Sequence, residues 1–167
     1  MMQIRLADIN DLSQINDIYN QTIATRMVTA DIEPITIEER TKSFQEYHCD
    51  SNRPLWVMAD SNKIAGWLSF KSYYGRPGYR HTVEMSVYVG DGYRRQGISK
   101  KLIQNALGLA PELDIHTILG FVFKHNTPSI SMLEYFDFIP LGHLPEVVNL
   151  DGIWRDVLIY GHHVQPL

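Results

Sequence analysis

Along RHTVEMSVYV, residues 80–89, apolar Val83, Met85, Val87 and Val89 alternate with Thr82, Glu84 and Ser86. A period of two predicts a β-strand. IRLA (4–7), LWVMAD (55–60), KIAGWLSFKS (63–72) and IHTILGFVF (115–123) read as further strands, with a tight turn at Ser61–Asn62 joining the second and third. Other stretches carry helical spacing. Leu12, Ile15, Ile18, Tyr19 and Ile23 form one apolar stripe, with Asp8 placed to cap the helix. Thr36 and Glu39 make a capping-box pattern that opens a helix running to about Tyr47. Ile98, Leu102, Ala106 and Leu109 mark a third helix, ended before Pro111. NTPSISMLEYF (126–136) predicts a fourth, with Thr127 as cap and Pro128 in the first turn. YYGRPGY (73–79) holds too much Gly and Pro for a regular element. Residues 138–160 read as two strands turning near Asp151–Gly152.

No repeat, linker or low-complexity tract interrupts this order, so one domain over residues 1–167 is expected. Strands mixed with helices and closed by a hairpin predict an α/β (α+β) domain with a mixed sheet. Composition leaves that picture unchanged: 44% apolar and 20% charged residues are ordinary for a globular chain. There is no run long enough to span a membrane and no signal-peptide pattern, so a cytoplasmic protein without a membrane partner is expected. A net charge of −4 argues against non-specific nucleic-acid binding. The single cysteine, Cys49, permits no internal disulfide and no zinc spacing. Its neighbour His48 is not expected to activate it, because adjacent side chains seldom face each other. The seven histidines show no metal spacing, so no metal is expected, and His162–His163 read as solvent-exposed. Trp56 and Trp154 read as core aromatics.

Chemistry concentrates at VYVGDGYRRQGIS (87–99), where a strand runs into a helix through two arginines and a glycine. A helix start carries unpaired N–H groups and partial positive charge, and Gly97 leaves the backbone open to close approach. From the residues alone, a phosphate or pyrophosphate site and a solvated arginine pair remain equal alternatives. The GxGxxG and GK[ST] spacings are both absent, which excludes the dinucleotide and P-loop patterns. Arg94-Arg95-Gln96-Gly97-Ile98-Ser99 resembles the acetyl-CoA pyrophosphate loop of the GCN5-related N-acetyltransferases, with Ser99 in place of a final Gly or Ala. The likeness covers nearly the whole chain. EPITIEER, YRHTVEMSVYV, NTPSISM and WRDV together resemble the phosphinothricin acetyltransferase branch.

The resemblance implies a mostly antiparallel sheet splayed at its centre and flanked by about four helices. It implies acetyl-CoA as cosubstrate, with the pyrophosphate on Arg94 to Ser99. The pantetheine arm would lie along Val87, Tyr88 and Val89 and against Asn126 and Ser129, and the Val87 N–H would serve as oxyanion donor. It also implies a homodimer. Glu84 has two readings from pattern alone: a buried carboxylate whose raised pKa suits a base, or a structural ion pair with Arg80 or Arg76. The resemblance favours the base. It further implies that Arg76, with Tyr79 and Tyr74 nearby, binds the anionic end of the acceptor, Tyr74 standing where some relatives carry lysine. Departures are Leu133 where relatives have His or Tyr to protonate the leaving thiolate, Asp137 in place of glycine, and NLDGIW in the last hairpin. The implied activity is acetyl transfer, through a ternary complex, to the amine of a small amino-acid-like compound of the phosphinothricin or methionine sulfoximine type. Acetylation of a protein or peptide amine, and a non-catalytic acyl-CoA-binding module, stand as alternatives.

Overall fold

Two capping boxes start the chain's first helices. Asp8 accepts from the Asn10 N–H at 2.7 Å while Asp11 accepts from the Asp8 N–H at 2.8 Å, which starts a 3-10 turn leading into α1 (Leu12–Ile23). The Arg5 guanidinium grips Asp11 through two bonds of 2.7 and 2.8 Å and holds its carboxyl below the ordinary range, so the helix start is tied to β1 (Gln3–Leu6). Thr36 and Glu39 cap α2 (Ile37–Tyr47) reciprocally. The remaining elements are β2 (Leu55–Asp60), β3 (Lys63–Ser72), β4 (Thr82–Val89), α3 (Ile98–Leu109), β5 (Thr117–Phe123), α4 (Thr127–Tyr135), β6 (Ile139–Leu150) and β7 (Ile153–His163). The computed structural model describes residues 1–48 and 50–165; Cys49 lies outside the described residues.

The strands form one sheet in the order β1-β2-β3-β4-β5-β7-β6. Every neighbouring pair is antiparallel except β4 and β5. Helix α3 covers one face, packing Ile98, Leu102, Ile103 and Ala106 with Leu68, Phe70, Val83 and Met85. Helix α1 covers the other, packing Leu12, Ile15, Ile18 and Ile23 with Leu55, Val57, Ile64 and Trp67. Burial on both faces accounts for the continuous apolar runs of β2 and β3.

The feature that positions the site is a splay. β4 pairs with β5 at only three positions, Thr82↔Thr117, Val83↔Ile118 and Glu84↔Leu119. Its pairing with β3 continues from Ser72↔Val83 to Gly66↔Val89, and β5 stays paired with β7 as far as Phe123↔Val157. Beyond Glu84 the two central strands part into a V.

Three local expectations need correction. The cap of α4 is Asn126, whose side chain accepts from the Ser129 N–H at 3.2 Å; Thr127 is already helical. Trp56 is in the core, but Trp154 is 58% exposed on the last hairpin. Loop 73–79 contains a 3-10 turn at Pro77–Tyr79. The Asp151–Gly152 turn forms as predicted, with φ of 55° and 88° and the Gly152 N–H bonded to Asn149 Oδ1 at 2.8 Å. Among the described residues, no helix is long and apolar enough to cross a membrane and no group of three His, Cys, Asp or Glu side chains is placed to hold a metal.

Candidate active site

The V between β4 and β5 opens into a cavity of about 480 Å³, walled by Val87 and Val89 on one side and Gly120 on the other, with Arg94 and Ser99 at one end and Asn126 and Ser129 from α4. A second cavity of about 520 Å³ lies on the α1–α2 side of the sheet and holds Asp31, Arg40, Lys71 and Glu84. Val28, Ser86, Tyr88, Phe121 and Val122 border both, so the two meet on β4 just past the last β4–β5 pair. Alternation along β4 divides the work. Met85, Val87 and Val89 pack with the α3-side core, while Glu84, Ser86 and Tyr88 line the second cavity.

At the far end of the first cavity, Gly97 has φ 75° and begins α3 without a side-chain cap, so the first N–H groups of the helix meet no capping oxygen. Arg95 also has positive φ, 62°. A Cβ on Gly97 would meet nothing within 4 Å; glycine is needed there for its left-handed backbone and for open access. Arg94 pairs with Asp91 at 2.7 Å on the surface, and Gln96 donates to the Gly92 carbonyl at 3.2 Å. Of the six loop residues only Arg94 and Ser99 line the cavity. Ile98 is 2% exposed with its side chain in the core, which leaves it only its N–H to offer. An uncapped helix start beside an exposed arginine pair fits a diphosphate.

Asn126 is buried and engaged at both ends. Its carbonyl oxygen caps α4 and its amide donates to the Met27 carbonyl at 2.9 Å, tying segment 24–36 over the cavities. Tyr19 holds the same segment through Thr29 Oγ1 at 2.6 Å and by donating to Asp31, and Asn20 brackets Ile35 with two 3.0 Å bonds. Leu133 is 8% exposed, lines the first cavity and sits on Gly120, where a Cβ would stand 3.3 Å from its methyl carbons. The leucine fills space that the glycine leaves.

Glu84 is half-buried, and burial pushes its pKa up; the Lys71 charge opposes that rise. The expected ion-pair partners are not the ones in place. Arg80 donates to His81 at 2.8 Å on the surface, and the cation facing Glu84 is Lys71, its register partner on β3. Burial lowers the pKa of Lys71, as does the nearby Arg40 charge, and its ammonium sits 4.7 Å from the Tyr47 ring centroid. Burial also raises the hydroxyl pKa of Tyr19 to about 12 and lifts that of Tyr88 well above the tyrosine range.

Arg40 was not foreseen. It is 7% exposed, its guanidinium lies over Tyr19 at 4.7 Å and Trp67 at 5.3 Å, Nε donates to Asn16 at 3.3 Å, and Nη2 has no partner among the described residues. On an otherwise polar helix nothing in the pattern marks it. Lys71 did leave a trace: Ser69 and Lys71 are polar positions inside an otherwise apolar stretch of β3, on the same face as Ser86 and Glu84, their register partners. Arg76, Tyr74 and Tyr79 line neither cavity. All three are exposed; the two tyrosines cluster with Tyr73, which stacks 6.3 Å from Phe121 at the border of both cavities.

The model of the Acetyltransferase (GNAT) family matches residues 16–138, from within α1 through the splayed strands and the α3 loop to the end of α4. The chain belongs to the GNAT family of acetyltransferases. As a GNAT protein it is an acetyltransferase that uses acetyl-CoA. It is 43% identical over 164 residues, 98% of this chain and 99% of the other, to YwnH of Bacillus subtilis (strain 168), which carries the name of a phosphinothricin acetyltransferase. It is 27% identical, over 98% of this chain and 95% of the other, to the L-methionine sulfoximine/L-methionine sulfone acetyltransferase of Pseudomonas aeruginosa (strain PAO1). The yncA acetyltransferase of Salmonella typhimurium, solved with its cofactor acetyl-CoA, shares the fold at a TM-score of 0.90 and 24% identity, over 98% of this chain and 94% of that one.

Proposed function

We propose that this GNAT enzyme transfers the acetyl group of acetyl-CoA to the α-amine of a small zwitterionic amino-acid-like acceptor, of the methionine sulfoximine or phosphinothricin type, in a ternary complex. The observation that carries the reading is the meeting of the two cavities at β4, with Glu84 on the acceptor side and Arg94 and Ser99 at the far end of the donor side. The acceptor cavity holds two cations, Arg40 and Lys71, and two carboxylates, Asp31 and Glu84, which suits a ligand carrying both signs of charge. Relatives named for acetylating methionine sulfoximine and phosphinothricin support this substrate class.

Acetyl-CoA supplies the thioester when bound. The diphosphate is met by Arg94, by the N–H groups at the start of α3 and by Arg95 from the surface, while Val87 and Val89 offer the unpaired edge of β4 to the amide-rich arm. Glu84, its proton affinity raised by burial, takes a proton from the acceptor ammonium and leaves a neutral nucleophile. The Val87 N–H stabilises the charge that grows on the acyl oxygen. Leu133 can give no proton to the leaving thiolate. Tyr88 lies where the cavities meet, but its hydroxyl is held far above an ordinary thiol pKa of about 8.5, so proton transfer to the thiolate runs uphill. Its role is to donate a hydrogen bond and let the thiolate depart as an anion, while the second proton, lost by the amine nitrogen as the amide forms, passes to solvent water.

Exposed Ile139, Leu141, Leu144, Val147, Ile153 and Trp154 give the β6–β7 hairpin an apolar surface, which supports a homodimer; light scattering that finds only a 19.3 kDa species at micromolar protein rejects it. The activity is tested by thiol release from acetyl-CoA across L-methionine sulfoximine, L-methionine sulfone, phosphinothricin, the common amino acids and a peptide with a free N-terminus. Release with the amino-acid-like amines is expected. Release with the peptide alone, or with none of them, overturns the proposal.

A further inference from the structure

We propose that Lys71 is a second acceptor: with no small amine in the acceptor cavity, the enzyme acetylates its own Lys71 Nζ. The proposal rests on the reading above, with the acyl group delivered where the two cavities meet and Glu84 as base. Among the described residues, Lys71 is the only lysine that lines either cavity. It stands opposite Glu84 in the β3–β4 register. Yet the two form no ion pair. The ammonium lies 4.7 Å from the Tyr47 ring centroid and, among the described residues, makes no hydrogen bond or salt bridge. Nζ is not sealed inside the protein as Nη2 of Arg40 is.

Reach and reactivity both suit attack on a thioester. Ser69, two residues before Lys71 on the same face of β3, pairs with Ser86, which borders both cavities. Two residues of strand cover about 7 Å, comparable with the length of the flexible four-carbon lysine stem once it swings off Tyr47. Charged groups face the ammonium from three elements: Glu84 on β4, Asp31 in segment 24–36, and Arg40 with Glu46 on α2. Burial lowers its pKa and the Arg40 charge lowers it further, outweighing the pull of the three carboxylates. A larger share of this amine is therefore neutral, the nucleophilic form, than of a surface lysine. In the transfer, Glu84 takes one proton from the ammonium and Nζ attacks the thioester carbonyl carbon. The C–N bond forms and the C–S bond breaks. Coenzyme A leaves as the thiolate, and the second proton of the nitrogen passes to solvent water. The product is an uncharged amide, so the cation opposite Glu84 is lost. A small amine bound beside Glu84 competes for the same base and the same acyl carbon, and so protects Lys71.

The test incubates the full chain with acetyl-CoA and no acceptor, and follows acetyl addition by intact mass and peptide mapping. One acetyl group on Lys71 is expected, and saturating L-methionine sulfone should suppress it. Glu84→Gln should slow the addition roughly 100-fold, which separates transfer within the site from spontaneous acetylation of exposed lysines. Lys71→Arg should lose the modification, with the acetyl-CoA-induced rise in Tm reporting an intact donor side. If Lys71→Arg does not fold, the peptide map of the wild type and the Glu84→Gln rate carry the test. An undiminished rate at Lys71 in Glu84→Gln overturns the proposal. So does an unmodified Lys71 in an enzyme that releases thiol with L-methionine sulfone, and that result leaves the acetyltransferase reading standing. Acetylated Lys71 without release on any small amine supports the proposal and overturns the small-acceptor reading. Neither modification nor release overturns both.

Discussion

Glu84 takes its proton affinity from two opposed effects, burial raising it and the Lys71 charge lowering it. That opposition predicts a pH response. In the proposed mechanism the base must be ionised to work, so kcat should fall as pH drops through the pKa of Glu84 in the complex. Lys71→Met removes the stabilising cation, raises that pKa further, and should move the acid limb of the kcat profile to higher pH. A limb that stays put or moves down contradicts the role of Lys71. Of these residues, Glu84 stood out in the sequence because a carboxylate interrupts an apolar strand, but pattern alone left base and ion pair equal and only the family likeness favoured the base. Lys71 was half-legible, since its face follows from strand alternation but its partner depends on register. Arg40 was not legible: the packing of α1 against α2 sets its surroundings, Tyr19, Trp67 and Asn16, from distant parts of the chain. The loop residues Arg76, Tyr74 and Tyr79 carried a strong family signal, yet backbone geometry sets them outside the cavities.

Elements were read well where local chemistry decides them. The Thr36–Glu39 box, the Asp151–Gly152 turn and the alternation of β4 are all short-range signals, and all formed. The cap of α4 was misplaced by one residue because Asn126 and Thr127 are both good caps, and the choice falls to the contact of Asn126 with Met27, which lies 99 positions away in the chain. The splay of β4 from β5 came only from the family likeness; a gap between strands is a property of pairing, which no single strand encodes. Asp137, which replaces a family glycine, is explained at this scale. It holds φ 60° where α4 ends, and the Phe138 N–H closes back on the Leu133 carbonyl at 3.1 Å. A left-handed L-residue costs roughly 1–2 kcal/mol, and glycine's extra unfolded-state freedom costs roughly 0.5–1 kcal/mol. Asp137→Gly should therefore raise stability by up to about 1 kcal/mol, read as a higher midpoint in urea at unchanged slope. A lower midpoint contradicts the strain assigned to that position.

At the scale of the molecule, a splayed sheet, an uncapped helix start and a tethered segment surround two cavities that share Val28, Ser86, Tyr88, Phe121 and Val122. The donor side enters from α3, the acceptor side from α2, and segment 24–36 closes above their junction, held by Tyr19, Asn20, Asn126 and the Arg26–Asp151 pair at 2.6 Å. These ties join chain positions up to 125 residues apart, so the roof, unlike the strands, could not be read from local pattern. The central claim is that Glu84, on the acceptor side two residues before Ser86, which borders both cavities, removes the acceptor's proton. Glu84→Gln keeps the shape and loses the proton acceptor. Its kcat at neutral pH, measured by thiol release on the best acceptor alongside the acetyl-CoA-induced rise in Tm, tests the claim directly. The expected result is a fall in kcat of roughly 100-fold to 10,000-fold with the Tm rise retained. A kcat within a few-fold of wild type would contradict it.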